Sequence, residues 1–217
     1  MKWFVLPVGQ YETNCVVVWN DPSKVWVIDP GADCARIMAR LKKEGLSVGA
    51  VVLTHGHFDH ISAVNAVLAE SPPSPVYMHQ KDEEFAFSIL NRMPPYPETR
   101  RPTTLNAARQ DGGVIICGGL AAKIFHTPGH TPGSWSLLFV VDKVLLTGDT
   151  LFKGSIGRTD FPGGNMDAMK KSLQTLMRLP DELRVIPGHG PQTILGHEKK
   201  NNPYLREVDC TQDEPEI

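Results

Sequence analysis

Apolar residues in this chain fall in short runs, with helical spacing between some of them. KWFVLPV (2–8), NCVVVW (14–19) and VWVID (25–29) are separated by the turn signals GQ and NDPS, which predicts three strands in a meander. ARIMARLKKEG (35–45) then spaces Ile37, Met38 and Leu41 for one face of a helix and closes on Gly45, a usual C-terminal stop. AVVL (50–53) is apolar throughout, as in a strand buried on both faces, and runs directly into THGHFDH at 54–60. ISAVNAVLAE (61–70) predicts a helix, PVYM (75–78) a strand and KDEEFAFSIL (81–90) a second helix.

Residues 91–105, NRMPPYPETRRPTTL, carry four prolines and no clear period, so they predict a loop or partial lid. Beyond this midpoint the pattern recurs. Strands are expected at GVIIC, LAAKIF, SWSLLFVV and KVLLTG, then a Gly-rich loop, a helix over 166–179 and a strand RVIP at 184–187. Each half is a group of strands followed by β–α units. Two such halves can pack mixed sheets face to face with helices outside, an α/β class fold in a four-layer α/β/β/α sandwich. The expected organisation is one domain over 1–208 and a short, frayed acidic tail over 209–217.

Composition narrows the function classes. Hydrophobic residues make up 41 % and charged residues 21 %, values of an ordinary folded protein. A formal net charge of −2 offers no general attraction for phosphate backbones or anionic lipid, and the basic pairs Lys42–Lys43, Arg100–Arg101, Lys170–Lys171 and Lys199–Lys200 are scattered, so neither a nucleic-acid nor a membrane partner is expected. The first apolar run ends at Pro7 and Gly9, too short for a signal-peptide core, and no stretch approaches the ~18 apolar residues of a membrane span. The expected location is the cytoplasm. Cys15, Cys34, Cys117 and Cys210 form no C-x-x-C pair and are expected to be buried, inert thiols.

THGHFDH gathers three of the eight histidines and an aspartate within seven residues. Imidazole and carboxylate are the usual N/O ligands of borderline divalent metals. In an extended segment i and i+2 point the same way, so His55 and His57 can grip one ion, while Asp59 and His60 begin the next turn and can face a second. This chain's composition gives H-x-H-x-D-H by chance less than roughly once in a thousand. Further ligands are expected just past other strands, beside glycine: His130 in HTPGHTPGS (126–134), Asp149 in LLTGDT (145–150) and His189 in VIPGHG (185–190).

Five motifs in order, VIDPG (27–31), THGHFDH, HTPGHTPGS, GDTLFKGSIGRTDFPGG and PGHGP (187–191), resemble those of metallo-β-lactamase-fold hydrolases, and specifically the small bacterial glyoxalase II-type (hydroxyacylglutathione hydrolase-like) proteins. The resemblance implies that His55, His57 and His130 hold a first metal, that Asp59, His60 and His189 hold a second, and that Asp149 bridges them, with Asp59 and Asp149 counted as catalytic. It implies two divalent ions, zinc first, with iron or manganese as alternatives. Two dications ~3.5–4 Å apart would acidify a shared water, and the bridging hydroxide would attack a small-molecule thioester. A thiolate leaves without a general acid, and the motifs show no obvious acid, which favours a thioester over an unactivated amide.

Other polar and aromatic residues have lesser expected roles. Asp29 is expected to prop the histidine loop and His126 to be structural or to stand behind the ligands, whereas His79 is read as a capping or surface residue and His197 as solvated. Arg158 either orients substrate or braces the Gly-rich loop with Asp160; Phe58 and Phe152 either wall the cleft or belong to the core. The segment GHEKKNNPYLREV is too short for the helical extension with which full-length glyoxalase II proteins hold glutathione, so that pocket is not expected to carry over. Two alternatives stand beside the hydrolase. A persulfide dioxygenase of the same fold would use one iron on His55, His130 and Asp149. A non-catalytic metal-binding or interaction protein would typically have lost ligands. A β-lactamase is disfavoured because the best-known dizinc classes place a cysteine at Asp149's position.

Overall fold

The structure, a computed structural model, describes residues 1–108 and 112–208; the acidic tail and Cys210 lie outside the described residues. The first sheet orders its six strands as they occur in the chain. β1 (Lys2–Val8), β2 (Thr13–Trp19) and β3 (Val25–Ile28) form the expected antiparallel meander, and β4 (Val48–Val52), β5 (Val76–His79) and β6 (Leu105–Ala108) continue it in parallel. In the second sheet, β7 (Gly112–Cys117), β8 (Leu120–His126), β9 (Trp135–Phe139) and β10 (Val144–Gly148) run antiparallel; β13 (Arg184–Pro187) joins β10 in parallel, with β14 (Thr193–Ile194) at the edge. A hairpin of β11 (Leu151–Phe152) and β12 (Ser155–Ile156) stands between β10 and β13 in the chain.

Side-chain alternation explains why β2 reads as one continuous apolar run. Val16 and Val18 face the second sheet, in a cluster with Trp26, Ala50, Val52, Trp135, Leu137, Phe139 and Leu146. Val17 points the other way, with Val25, Val27 and Val51, onto helices α1 (Cys34–Lys43) and α3 (Val64–Ala69) through Ile37, Leu41, Val64 and Val67. The far face of the second sheet is covered in the same way. There Leu138, Leu145 and Val185 meet Met169, Leu173 and Leu176 of α5 (Met166–Met177), Leu195 of α6 (Leu195–Asn201) and Leu205 of α7 (Pro203–Arg206). Helix, sheet, sheet, helix is the four-layer order expected from the strand pattern. Two tryptophans bury their rings between the sheets, and each finds an acceptor: Trp26 Nε1 donates to Cys117 O at 3.1 Å and Trp135 Nε1 to Leu53 O at 2.6 Å.

Several elements depart from the sequence pattern. The helix expected over 61–70 is two pieces, α2 (Phe58–Ile61) and α3, because the Ala63 N–H donates to Pro30 O instead of into a helix ladder. The turn there is tight: a Cβ on Gly31 would lie 1.5 Å from Asp59 O. The helix expected over 81–90 is α4 (Gln80–Ala86) followed by a 3₁₀ turn (Ile89–Asn91), whose entry Ser88 caps by accepting from Leu90 N. β6 lies at the end of what reads as loop, and its pairing with β5 is tertiary. The β11–β12 hairpin, β14, α6 and α7 carry too short a period to be read from sequence.

Trp26 is fully buried between the sheets. Trp26→Ala is expected to cost about 3–5 kcal/mol, a fall in Tm of order 10 °C followed by circular dichroism, whereas Val141→Ser, at a residue 92 % exposed, should change stability by less than about 0.5 kcal/mol.

Candidate metal centre

The site lies where several strands end. β4 runs out through Leu53 and Thr54 to His55 and His57; α2 follows and carries Asp59 and His60. His130 comes from the loop after β8, Asp149 follows Gly148 at the end of β10, and His189 follows β13. All seven sequence-predicted ligands meet here. Their donor atoms form three overlapping groups, His55–His57–His130, His55–His60–Asp149 and Asp59–His60–His189, each within 4.8 Å. His57 Nδ1 is 2.8 Å from His130 Nε2, and His60 Nε2 is 3.2 Å from His189 Nε2. Asp149 stands between the triads: Oδ1 is 3.5 Å from His60 Nε2, while Oδ2 is 3.5 Å from both His130 Nε2 and His189 Nε2.

The rings are held from behind. His130 Nδ1 lies 2.7 Å from Arg158 O, His189 Nδ1 2.8 Å from Tyr11 O and His60 Nδ1 2.9 Å from Asp29 Oδ2, acceptors that keep the proton on Nδ1 and turn the Nε2 lone pair inward. Asp29 also accepts from Thr54 N and Thr54 Oγ1, at 2.7 and 2.6 Å. The Thr54 hydroxyl proton is thereby committed, so its oxygen accepts from His55 Nδ1 at 3.2 Å. Asp29 thus joins Thr54, the residue before His55, to His60. His55 Nε2 and Asp149 Oδ1 are buried with no hydrogen-bond partner, an arrangement that costs free energy unless a cation takes up the lone pairs. Close approach adds to this: a Cβ on Gly188 would lie 2.1 Å from Asp149 Oδ1.

Asp82 is a site residue that the sequence did not single out. Buried at the start of α4, it accepts from Gly56 N, Thr131 Oγ1 and Gly133 N at 2.8, 2.6 and 2.6 Å, tying the histidine loop to the loop of His130. Burial raises its pKa against these bonds. Its signal was weak because an acid in the first turn of a helix usually reads as a solvated cap.

Burial and neighbouring imidazoles push His55 well below its ordinary range and His57 to about 3. Burial works against charge at His60 too, but Asp149, Asp59 and Asp29 outweigh it and lift His60 to about 10. His189 is also raised, burial being outweighed by the Asp59 hydrogen bond and by Asp149. Asp59 is lowered: burial opposes this, and His60 and His189 prevail. The metal-free centre thus keeps two neutral imidazoles and draws protons onto the imidazoles nearest its carboxylates.

The remaining predicted residues divide. His126 lies outside the ligand groups, with Nε2 2.8 Å from Pro132 O, and its ring stacks on His79 at 4.3 Å. His79 caps α4 by accepting from Lys81 N but is buried, which corrects the surface reading: as the last residue of β5 it turns inward. His197 is exposed. Arg158 forms a bidentate pair with Asp160 at 2.9 and 2.7 Å and lies 4.1 Å over the Phe161 ring, which favours the loop brace. Phe58 and Phe152 are half-buried at the rim, Phe152 6.2 Å from His189. Phe161 and Phe85, which sequence reasoning missed, stand edge-on to His57 at 5.8 and 5.6 Å. Cys15 is buried and its thiol pKa is pushed up, but Cys34 and Cys117 are only half-buried, a correction to four buried thiols. Among the described residues no helix is long and apolar enough to cross a membrane.

Comparison with known proteins places these features. Residues 8–189 match the sequence model of the Metallo-beta-lactamase superfamily. Hydroxyacylglutathione hydrolase GloC of Haemophilus influenzae is 34% identical over 208 residues, 93% of this chain and 96% of that one. Among solved structures, BLEG-1 B3 metallo-beta-lactamase superposes with a TM-score of 0.87 at 37% identity, covering 94% of this chain and 99% of its own. TTHA1623, solved in a di-iron-bound form, has a TM-score of 0.78 at 33% identity, covering 93% and 100%.

Because Asp149, Asp59 and Asp29 outweigh burial and raise His60 above its ordinary range, a divalent metal is expected to compete with a proton there. Metal uptake is expected to release about one proton or more per chain, and affinity to weaken as the pH falls. Calorimetric titration in buffers of different ionisation enthalpy counts the protons; binding with none released would contradict the electrostatics.

Proposed function

The chain belongs to the metallo-β-lactamase superfamily, and from that premise we propose that it is a dinuclear metal-dependent hydrolase of thioesters, of hydroxyacylglutathione hydrolase type. The observation that carries the proposal is Asp149, whose carboxylate faces both His/Asp triads at once. In this reading His55, His57 and His130 hold one ion, Asp59, His60 and His189 the other, and Asp149 both; residues 1–208 act as one domain, since both halves of the chain supply ligands. The donor set suits zinc, iron or manganese, and the relative TTHA1623 is known with two irons.

Bound divalent ions would supply Lewis acidity, lowering the pKa of a water to near neutrality and polarising the carbonyl. The chain's own residues do the rest. Asp59, kept ionised, and Asp149 face the same space and can accept hydrogen bonds from the attacking water, directing its lone pair toward the carbonyl carbon. Rings anchored through Nδ1 hold the lone pairs of His60, His130 and His189 in place without reorganisation. Phe161 and Phe85 stand edge-on to His57 on one side of that space, and Phe58 precedes Asp59 on the other. A thiolate leaving group asks no proton of the protein.

S-lactoylglutathione hydrolysis, assayed with metal quantified on the same sample, tests this directly. Two metals per chain with turnover are expected; one iron per chain with oxygen uptake on a thiol persulfide would instead identify a dioxygenase. A metal-replete protein that turns over no thioester, ester or persulfide would be a binding protein on an enzyme fold. Asp149→Asn is expected to lose bound metal and to lower activity by roughly 100-fold or more, with an unchanged circular dichroism spectrum. Near-normal activity in that variant would remove the bridging role.

A further inference from the structure

Three aromatic rings from three distant segments meet at the Asp59–His189 end of the centre. Tyr11 comes from the β1–β2 loop, Phe58 from the first position of α2 and Tyr96 from the proline-rich segment. Phe58 lies edge-on to Tyr11 at 5.6 Å and to Tyr96 at 5.0 Å, and Tyr11 and Tyr96 are 5.9 Å apart. Phe58 and Tyr96 are half-buried, and Tyr11 is 53% exposed. Tyr11 and Phe58 are tied to the centre through their backbone, and Tyr96 through its hydroxyl. Tyr11 O accepts from the His189 ring, Phe58 directly precedes Asp59, and Phe58 N donates to Asn91 Oδ1 at 3.0 Å, which holds the entry to the proline-rich segment against α2. Tyr96 Oη in turn accepts from Tyr11 N at 3.3 Å.

The other end of the centre has different walls. Phe161 and Phe85 flank His57 there, and the Arg158 guanidinium lies over Phe161. A thioester whose carbonyl sits beside Asp149 must send one arm toward each end. The Arg158 end presents the exposed Arg158–Asp160 ion pair, a charged rim suited to a polar thiol arm bearing charged groups. The Tyr11 end offers uncharged ring faces and two phenols, chemistry suited to a small uncharged acyl group with an apolar part and a hydroxyl.

We infer that Tyr11, Phe58 and Tyr96 form the acyl-group subsite and set selectivity for the acyl arm of the substrate. The inference rests on the thioester hydrolase reading. Tyr11→Ala keeps the His189 anchor, which is the Tyr11 backbone carbonyl and not its side chain, and the two Tyr96 variants, which both lose the bond from Tyr11 N to Tyr96 Oη, separate the ring from that bond.

The experiment compares kcat and KM of the metal-loaded protein, Tyr11→Ala, Tyr96→Ala and Tyr96→Phe on two series. One varies the acyl group on glutathione (acetyl, lactoyl, mandeloyl); the other varies the thiol under a lactoyl group (glutathione, N-acetylcysteamine). Both alanine variants should lower the mandeloyl-to-acetyl ratio of kcat/KM by roughly 10-fold, mainly through KM, and leave the glutathione-to-N-acetylcysteamine ratio within about twofold. Tyr96→Phe should keep the parent's mandeloyl-to-acetyl ratio. Loss of a merely structural contact would depress every substrate alike, so an unmoved acyl ratio, or a change in the thiol ratio instead, overturns the inference while the hydrolase reading stands. Absence of thioester turnover by the unsubstituted protein overturns both.

Discussion

The crowding of imidazole and carboxylate donors is the constraint around which this molecule is arranged. Each triad brings its donor atoms within 4.8 Å, and the triads share members, so lone pairs and negative charge converge in a space that contains mostly buried groups. Burial of unpaired polar atoms of this kind costs roughly 1–3 kcal/mol each, and His55 Nε2 and Asp149 Oδ1, both buried without a hydrogen-bond partner, are metal-ligand candidates. A compact fold tolerates the arrangement because the surrounding core is large and because a cation converts the cost into binding. The same crowding separates the histidines: burial and then neighbouring imidazoles take His57 to about 3, while at His60 the carboxylates overcome burial and lift it to about 10.

Two facing sheets are what make such convergence possible. Strands that end at one rim deliver ligands from widely separated parts of the chain, with their side chains already directed by the buried strands behind them. Precision comes from polar residues that hold the loops together rather than from the ligands themselves. Asp82 joins the loop of His55 and His57 to the loop of His130 through three bonds, and Asp29 fixes Thr54 and His60 together. Thr13 Oγ1 adds a bond to Asp59 Oδ2 at 3.2 Å, so β2 also contributes to the second triad.

Much of this was legible before any coordinates, for a physical reason in each case. H-x-H-x-D-H is local, and His130, Asp149 and His189 carry the signature of a polar residue placed beside glycine just past a strand. Strand runs in the sheet interior were visible because both faces are buried, as with Val16, Val17 and Val18. What was hidden is what depends on tertiary pairing. The break between α2 and α3 follows from Pro30 O, distant in sequence, taking the Ala63 N–H; β6 exists because β5 is beside it. Asp82 stands at a helix start, where an acid reads as a solvated cap, and Tyr11 and Tyr96 stand in segments without a period. Their meeting is set by the fold and has no local period to betray it.

The anchoring pattern also separates two jobs that a single loop performs. Tyr11 offers its carbonyl to His189 and its ring to the cleft; Arg158 offers its carbonyl to His130 and its guanidinium to the face of Phe161. In both cases the ligand is oriented by a backbone group that any residue at that position would supply. The side chain above it is free to differ without turning the imidazole. Orientation of His130 and His189 therefore depends on backbone atoms of these two loops, while the side chains of Tyr11 and Arg158 make separate contacts, with Phe58 and Tyr96 in one case and with Asp160 and Phe161 in the other.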